Sequence, residues 1–251
     1  MNIFTNDNWL IEEDFDKNGA YHMARDLEVV EKVRDDPSAP NVLRLYTWKP
    51  YAISLGYRQD ESSINLEVCK KAGVDVVRRP TGGRAVYHAE ELTYAVIMRF
   101  EPGEGIYAVH NKIAESLLEL LQPLAGGRLA LTSSRDSTPI REVYKPGTLT
   151  NIACFTSTAR YEITLDRKKV VGSAQRRFGN AVLQHGSILL GNEHLRLPDF
   201  LNISSEEKIQ MRKLLEEESA TIGDNHYAGN SIEKDLMPVV RERLDAPLAQ
   251  E

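Results

Sequence analysis

This chain of 251 residues has very little cysteine and no long apolar run. Its two cysteines, Cys69 and Cys154, are too few for a disulfide framework, which favours a reducing compartment. No apolar stretch is long enough to span a bilayer, and the N-terminus lacks the pattern of a signal peptide. A net charge of −6 argues against broad nucleic-acid binding. We therefore expect a cytoplasmic protein that binds neither membranes nor nucleic acids.

The order of the predicted elements indicates an α+β fold, with a mixed or antiparallel central sheet flanked by helices. Periodicity and end signals predict helices at 20–34, 65–72, 107–121 and 204–218, the last capped by Ser205. Alternating or apolar runs predict strands at 42–46, 52–55, 74–78, 91–98, 129–131, 161–165, 169–175 and 181–189. The segment 133–150, rich in Ser, Thr, Pro and Gly, predicts a loop.

The most informative segment is the loop from Arg78 to His88, with the sequence RRPTGGRAVYH. It follows an apolar run, 74–77, that predicts a short buried strand. The adjacent Gly82 and Gly83 allow a backbone turn that a Cβ would block. Backbone N–H groups and arginines in such a loop can bind an acidic or carbonyl-bearing ligand. A tight turn with solvated arginines is the alternative, but three arginines and a histidine between two strands favour a ligand-binding loop.

A second cluster of interest lies between residues 151 and 190. Apolar and polar residues alternate on both sides of the polar turn 166–168, which predicts a β-hairpin. The hairpin would bring Cys154, at the start of one strand, near Lys169 and the Gly172-Ser173 backbone. An ammonium favours the thiolate form of a neighbouring thiol, so the pair is a candidate nucleophile and activating cation. Taken singly, the cysteine would be a small buried hydrophobe and the lysine a solvated hairpin residue.

These segments resemble the lipoate/octanoate attachment superfamily, which includes lipoate-protein ligases and the catalytic domain of biotin-protein ligases. The segments that carry the resemblance are specific only in combination: 43–50, 54–59, 78–94, 169–175 and 184–190. The implied fold is the catalytic domain of those ligases. We expect it to form a single domain over 1–251, with a weakly matched helical tail from about residue 199.

Within that superfamily the chain looks most like the octanoyltransferases of the LipM type. It shares their Thr-Gly-Gly-Arg loop, whereas ATP-dependent lipoate ligases more often carry a third glycine in place of Arg84. The nucleophilic cysteine and the lysine of that type match Cys154 and Lys169, and ligases more often carry Asn-Asp at 154–155. The resemblance implies substrate-binding roles for further residues of the two clusters: Arg79, Thr81, Gly82, Gly83, His88, Gly172, Ser173, Ala174, Gln175, His185 and Gly186.

The function implied by the resemblance is octanoyl transfer in lipoate biosynthesis. The donor would be octanoyl-acyl carrier protein, and the acceptor a lysine of a lipoyl domain or of the glycine-cleavage H protein. We expect a monomer that needs no cofactor and no metal. ATP and magnesium would be required only by the first alternative, an ATP-dependent lipoate-protein ligase. The second alternative is lateral transfer of octanoyl or lipoyl groups between lipoyl proteins by the same cysteine, and the third is a non-catalytic binding module, which would need neither Cys154 nor Lys169.

Arginines are concentrated near the two clusters, at 78, 79 and 84 and again at 176 and 177. Both implied protein partners are generally acidic, so this cationic rim is a candidate docking face. The alternative is that Arg176 and Arg177 are simply turn residues before 178–180.

Overall fold

In a computed structural model of the protein, the described residues are 2–5, 8–101, 103–132, 152–156, 162–225 and 232–245. They confirm the α+β fold, with mixed and antiparallel sheets flanked by helices. The predicted loop at 133–150 lies outside the described residues, as does Tyr161. Within the described ranges, every helix is too short or too polar to traverse a bilayer.

The helices of the described residues are α1 (Gly19–Asp35), α2 (Leu66–Ala72), α3 (Ile106–Leu121), α4 (Ser205–Glu218) and α5 (Met237–Asp245). The strands are β1 (Trp9–Lys17), β2 (Asn41–Trp48), β3 (Ala52–Leu55), β4 (Asp75–Arg78), β5 (Val86–His88), β6 (Glu91–Arg99), β7 (Leu129–Leu131), β8 (Ile163–Leu165), β9 (Lys168–Lys169), β10 (Val171–Phe178) and β11 (Ala181–Leu189). A 3₁₀ segment, Asn192–Phe200, precedes α4, and a π-helical turn, Ile232–Leu236, precedes α5.

The main sheet has the strand order β1-β2-β6-β11-β10. Its first two strands are parallel, and the other neighbours are antiparallel. A second sheet has the order β4-β3-β5, and a third has the order β7-β8-β9. Within the segment Arg78–His88, residues 79–85 connect β4 to β5, which are the two outer strands of the second sheet on either side of β3. In the main sheet, β10 and β11 form a hairpin.

Both faces of the main sheet are buried. Alternate residues of β2 and β6 point to opposite faces, so Tyr46 and Ile97 pack with α1 while Leu45 and Val96 pack with α3. This is why both strands show nearly continuous apolar sequence, and why the pattern 91–98 predicts β6 so closely. The main sheet therefore forms the middle layer of the domain.

The capping residue of α4 differs from the prediction. Ser204, rather than Ser205, is the N-cap, because its side chain accepts a hydrogen bond from the backbone N–H of Glu207. The Glu207 carboxylate accepts in return from the backbone N–H of Ser204, which completes a capping box. The helix otherwise has the predicted extent.

The predicted hairpin spanning 161–175 is shorter and changes sheets. β8 pairs with the two-residue strand β9 across the turn Asp166–Arg167, where both residues have positive φ. The chain then leaves the third sheet at Val170, whose N–H donates to Ile163 while its carbonyl accepts from Leu189. From Val171 onward it pairs with β11 in the main sheet. Val170 is therefore the point that joins the two sheets beside the candidate site.

Candidate active site

Cys154 is held against the loop between β4 and β5. The backbone N–H of Ala85 donates to the carbonyl of Ile152 at 2.9 Å, and the N–H of Cys154 donates to the carbonyl of Ala85 at 2.9 Å. These two hydrogen bonds form an isolated bridge between Ala85 and Ala153. The prediction that the cysteine begins a hairpin strand is therefore wrong, because the backbone beside Cys154 is hydrogen-bonded to Ala85 and not to a hairpin partner. The thiol itself is half-buried.

Lys169 lies beside the thiol, as the hairpin pattern predicts. Its Nζ is 4.0 Å from Sγ of Cys154, and its side chain is buried. The same ammonium forms an ion pair with the buried carboxylate of Glu162 and lies 5.2 Å from the ring centroid of Phe155. Burial works against the ammonium, but the charges of Cys154 and Glu162 outweigh it and raise the pKa of Lys169 above its ordinary value. The catalytic roles of the pair stay predictions.

Gly172 makes the close packing around Lys169 possible. A Cβ at this position would lie 2.8 Å from Cζ of Phe155 and 3.3 Å from Cε of Lys169. Its neighbour Ser173 pairs with Gly186 across the β10–β11 ladder and accepts a hydrogen bond from the Tyr94 hydroxyl at 2.8 Å. The small residues of β10 therefore let the aromatic ring and the lysine pack against the strand backbone.

The glycine loop is shaped by Arg79, which is 5% exposed. Its guanidinium donates to the carbonyls of Ser54, Gly82 and Arg84 at 2.7–3.1 Å. Gly83 has φ +96°, and a Cβ there would lie 2.7 Å from the Arg79 guanidinium. Gly82 has an ordinary φ and room for a Cβ, so the predicted need for glycine holds at Gly83 and is wrong at Gly82.

Two histidines join the loop to the rest of the domain. His185 Nδ1 is 2.9 Å from the carboxylate of Asp26, and its Nε2 is 2.6 Å from the hydroxyl of Thr81. Since Asp26 only accepts, the ring donates from Nδ1 and accepts from Thr81 through Nε2. Burial lowers the pKa of His185 despite the opposing effect of Asp26, which favours this neutral ring. His88 contacts Glu91 through Nδ1 and Ser54 through Nε2, both at 2.7 Å.

A narrow cavity of about 50 Å³ lies between the glycine loop and the β10–β11 hairpin. Its wall combines backbone and polar groups of the predicted site with apolar side chains of α1 and β2: Met23, Tyr46, Trp48, Ser54, Arg79, Gly83, Val86, His88, Thr93, Cys154, Gly172, Ser173, Ala174, His185, Gly186 and Ser187. The structure therefore brings most of the predicted site residues to one cavity. Lys169 reaches it indirectly, through its contact with Cys154.

Gly82 and Gln175 line a different, larger cavity of about 680 Å³ on the outer side of the loop. Gly83 borders both cavities. The outer cavity also contains Arg58 and Arg176, and the Gln175 side chain donates to Gln184 at 3.0 Å rather than facing Cys154. Thr81 is fully buried beneath the loop, where it contacts His185.

Sequence patterns missed Glu162 and Asp26, each of which contacts a predicted site residue. Glu162 directly precedes the apolar strand β8, and Asp26 lies on the buried face of α1 with Val29 and Val30. A carboxylate within or beside an otherwise apolar face is the signal that points to such buried partners.

The amino-acid sequence matches a known protein family. The model of the lipoyl protein ligase A/B catalytic domain matches residues 18–225. An octanoyltransferase LipM from Lysinibacillus sphaericus is 36% identical over 208 residues, which cover 81% of this chain and 74% of that protein. Another from Carboxydothermus hydrogenoformans is 36% identical over 210 residues, with 82% and 74% coverage.

A similar fold occurs in a bipartite lipoate protein ligase from the archaeal lipoylation system of Thermoplasma acidophilum. The TM-score is 0.68 at 21% identity, over 93% of this chain and 79% of that chain. This likeness supports the fold alone, whereas the family model and the closer relatives support membership. The chain belongs to the lipoyl protein ligase A/B catalytic domain family, in which its curated relatives are octanoyltransferases of the LipM type.

Proposed function

We propose that this chain is an octanoyltransferase that moves an octanoyl group from acyl carrier protein, through a thioester on Cys154, to a lysine of a lipoyl-accepting protein. The observation that carries the proposal is the 4.0 Å contact between the Cys154 thiol and the Lys169 ammonium at the wall of the narrow cavity. Relatives at 36% identity are octanoyltransferases. A ligase that activates a free acid with ATP has no need of a thiol at this position.

The proposed reaction has two acyl transfers. The Cys154 thiolate attacks the carbonyl carbon of the octanoyl thioester, and the C–S bond to the carrier breaks, so that the carrier leaves as a thiol after it takes a proton. The neutral amine of the acceptor lysine then attacks the Cys154 thioester. The new C–N bond replaces the C–S bond, the amine loses a proton, and the cysteine returns to its starting state. Exchange between thioesters is nearly balanced and conversion of a thioester to an amide is downhill, so ATP is not required.

Lys169 assists the first step electrostatically. A protonated, buried amine 4.0 Å from Sγ favours the thiolate over the thiol and lies where it can stabilise negative charge that develops on the acyl oxygen. The backbone N–H of Ser173 is a further candidate for that oxyanion, because Ser173 borders the same cavity as Cys154 and lies opposite Gly186 in a non-hydrogen-bonded pair. Gly172 borders the cavity too, but it faces Ser187 in a hydrogen-bonded pair of the ladder. In other enzymes, one such hydrogen-bond donor stabilises the transition state by about 3 kcal/mol.

The narrow cavity is the proposed site of the acyl chain. Its apolar part is formed by Met23, Tyr46, Trp48 and Val86. Burial of each methylene contributes about 0.8 kcal/mol, so an apolar wall of fixed length can select for chain length. The polar groups of His88 and His185 are already paired with Glu91, Ser54, Asp26 and Thr81, and we assign them to holding the wall and the loop.

The outer cavity is the proposed docking face for the acidic protein partners. Arg176 donates to the carbonyl of Pro80 at 2.8 Å, and its guanidinium lies over the rings of Tyr57 and Phe178. Among the described residues it forms no ion pair with a carboxylate. Its charge therefore remains available to an acidic carrier or lipoyl domain, which favours a docking role over that of a simple turn residue.

We also propose that the whole chain forms one catalytic domain. The family model spans 18–225, and buried residues after that range, including Leu236 and Val240, lie in the same core cluster as Ile113 of α3. We place this domain in the cytoplasm, as a monomer.

Transfer to a lipoyl domain tests the proposal. The protein is incubated with octanoyl-acyl carrier protein and a lipoyl domain without nucleotide or metal, and the mass of the lipoyl domain is followed. We expect the gain of one octanoyl group, and little product from free octanoate or lipoate with ATP and magnesium. Modification only from the free acid with ATP would overturn the proposal in favour of a ligase. Octanoylated H protein as the only effective donor would favour lateral transfer.

A further inference from the structure

The acyl-enzyme places a thioester beside a lysine of the same protein. Once Cys154 carries the octanoyl group, its sulfur lies about as far from Nζ of Lys169 as Sγ does here, 4.0 Å. The second step of the proposed reaction is attack of a neutral lysine amine on this thioester. A neutral Lys169 is positioned for the same attack, which would form a C–N bond to Nζ, break the C–S bond and free the Cys154 thiol. The resulting amide would hold the octanoyl group permanently and inactivate the enzyme.

Acylation also removes a charge that keeps Lys169 protonated. Lys169 is 2% exposed, and burial favours its neutral form. The groups that act on it most strongly among the described residues are Cys154, Glu162 and Arg84, and Glu162 also acts on the nearby His110. Arg84 opposes the ammonium, and the negative charge of Cys154 disappears when the thioester forms. The Glu162 carboxylate, which contacts Nζ of Lys169, is then the main group that stabilises the positive charge of Lys169.

Glu162 is well held for such a role. Its side chain is only 6% exposed, and it forms an ion pair with the ammonium of Lys169, which is also buried. Its backbone carbonyl accepts hydrogen bonds from the N–H and the hydroxyl of Thr132 at 2.9 and 2.8 Å, which anchor it beside β7. A buried ion pair of this kind is costly to break from one side, because the remaining charge is left uncompensated.

We propose that Glu162 is a positioning residue that holds Lys169 as an ammonium in the acyl-enzyme and thereby prevents the octanoyl group from moving from Cys154 to Lys169. The proposal rests on the octanoyltransferase function proposed above. It explains how a lysine can activate the nucleophilic cysteine of an enzyme whose own product is an octanoyl-lysine amide. The acyl group then waits on Cys154 until the acceptor lysine arrives.

The test is a single-turnover acylation of Glu162→Gln with octanoyl-acyl carrier protein and no acceptor. Hydroxylamine cleaves thioesters and leaves amides intact, so intact mass before and after treatment separates the two adducts. In wild type we expect an adduct that hydroxylamine removes fully. In Glu162→Gln we expect a resistant adduct that grows with time and that peptide mapping places on Lys169, with the Cys154 thiol regained. Glu193→Gln, which removes a carboxylate paired with Arg196 at the surface, serves as the matched control and should behave as wild type.

A second variant ties the resistant adduct to the amine. Glu162→Gln combined with Lys169→Arg should form no resistant adduct, because a guanidinium does not become neutral under these conditions. A folded Glu162→Gln protein whose adduct is fully removed by hydroxylamine would overturn the inference. If that variant does not fold, Glu162→Asp carries the same test, since it moves the carboxylate one methylene away from Nζ; absence of a resistant adduct there would also overturn it. A wild-type protein that forms no adduct would instead contradict the proposed function itself.

Discussion

Replacement of Gly172 by alanine tests whether the packing around Lys169 places it for catalysis. The new Cβ would lie 2.8 Å from Cζ of Phe155 and 3.3 Å from Cε of Lys169. Relief of the first contact to an ordinary carbon–carbon separation of about 3.5 Å requires a shift of about 0.7 Å. Because the Phe155 side chain is 3% exposed and follows Cys154 directly, either the ring or the strand must move within a packed region.

Overpacking of this kind costs about 1–3 kcal/mol, and the loss of glycine flexibility in the unfolded chain offsets about 0.4–1 kcal/mol of it. We therefore expect Gly172→Ala to lower the free energy of unfolding by about 1–2 kcal/mol, or Tm by roughly 2–8 °C for a chain of this size. Displacement of Lys169 or Phe155 should also slow acylation of Cys154 by on the order of tenfold or more. Thermal unfolding and single-turnover acylation measure the two effects.

Gly82→Ala is the matched control, because a Cβ there meets nothing within 4 Å and φ is ordinary. It should keep the stability of wild type. Equal stability in Gly172→Ala and Gly82→Ala, together with acylation of Gly172→Ala at the wild-type rate, would mean that Gly172 does not set the position of Lys169.

Two further predictions concern charge. Lys169→Ala should shift the pH profile of Cys154 alkylation to higher pH, because a positive charge 4.0 Å from Sγ is lost, and Lys169→Arg should restore it only in part; an unmoved profile would mean that another cation activates the thiol. Burial lowers the pKa of His22 to about 4 from 6.5, so the unfolded chain takes up a proton near pH 6.5 that the folded protein takes up only near pH 4. Stability should therefore be lost as pH falls through this window, by about 3 kcal/mol from this group. In His22→Phe, the free energy of unfolding measured with urea should depend less steeply on pH between 4 and 6.5 than in wild type. An identical slope in the two proteins would mean that His22 is not the source of this pH dependence.

Elements with a strong apolar pattern could be predicted from the sequence. The helix α3 buries Ile113 and Leu117 on one side and was predicted within one residue of its observed start. The strand β1 was missed because its sequence is rich in acidic residues, whose carboxylates pair with Arg44, Arg25 and Arg241. Hydrophobic periodicity contains no information on such ion pairs, so an edge strand of this composition looks like a solvated loop.

Only part of the candidate site could be predicted from the sequence. The approach of Lys169 to Cys154 follows from a local hairpin turn, so spacing and family resemblance could predict it. The groups that hold them come from distant parts of the chain: Ala85 anchors the cysteine backbone from 69 residues away, and Asp26 contacts a histidine 159 residues further on. One sequence without its fold does not reveal such pairs. Even the change of sheet at Val170 depends on pairing with β11, a strand that comes later in the chain.

Direct detection of the acyl-enzyme tests whether Cys154 carries the octanoyl group during transfer. Wild type, Cys154→Ala and Cys69→Ala are each mixed with octanoyl-acyl carrier protein without nucleotide, and their intact masses are recorded. Cys69 is buried in α2, and burial raises the pKa of its thiol, so its removal should leave acylation largely intact. We expect one hydroxylamine-sensitive octanoyl group on wild type and on Cys69→Ala, and none on a folded Cys154→Ala. Full octanoyl transfer to a lipoyl domain by Cys154→Ala would contradict a covalent route through Cys154.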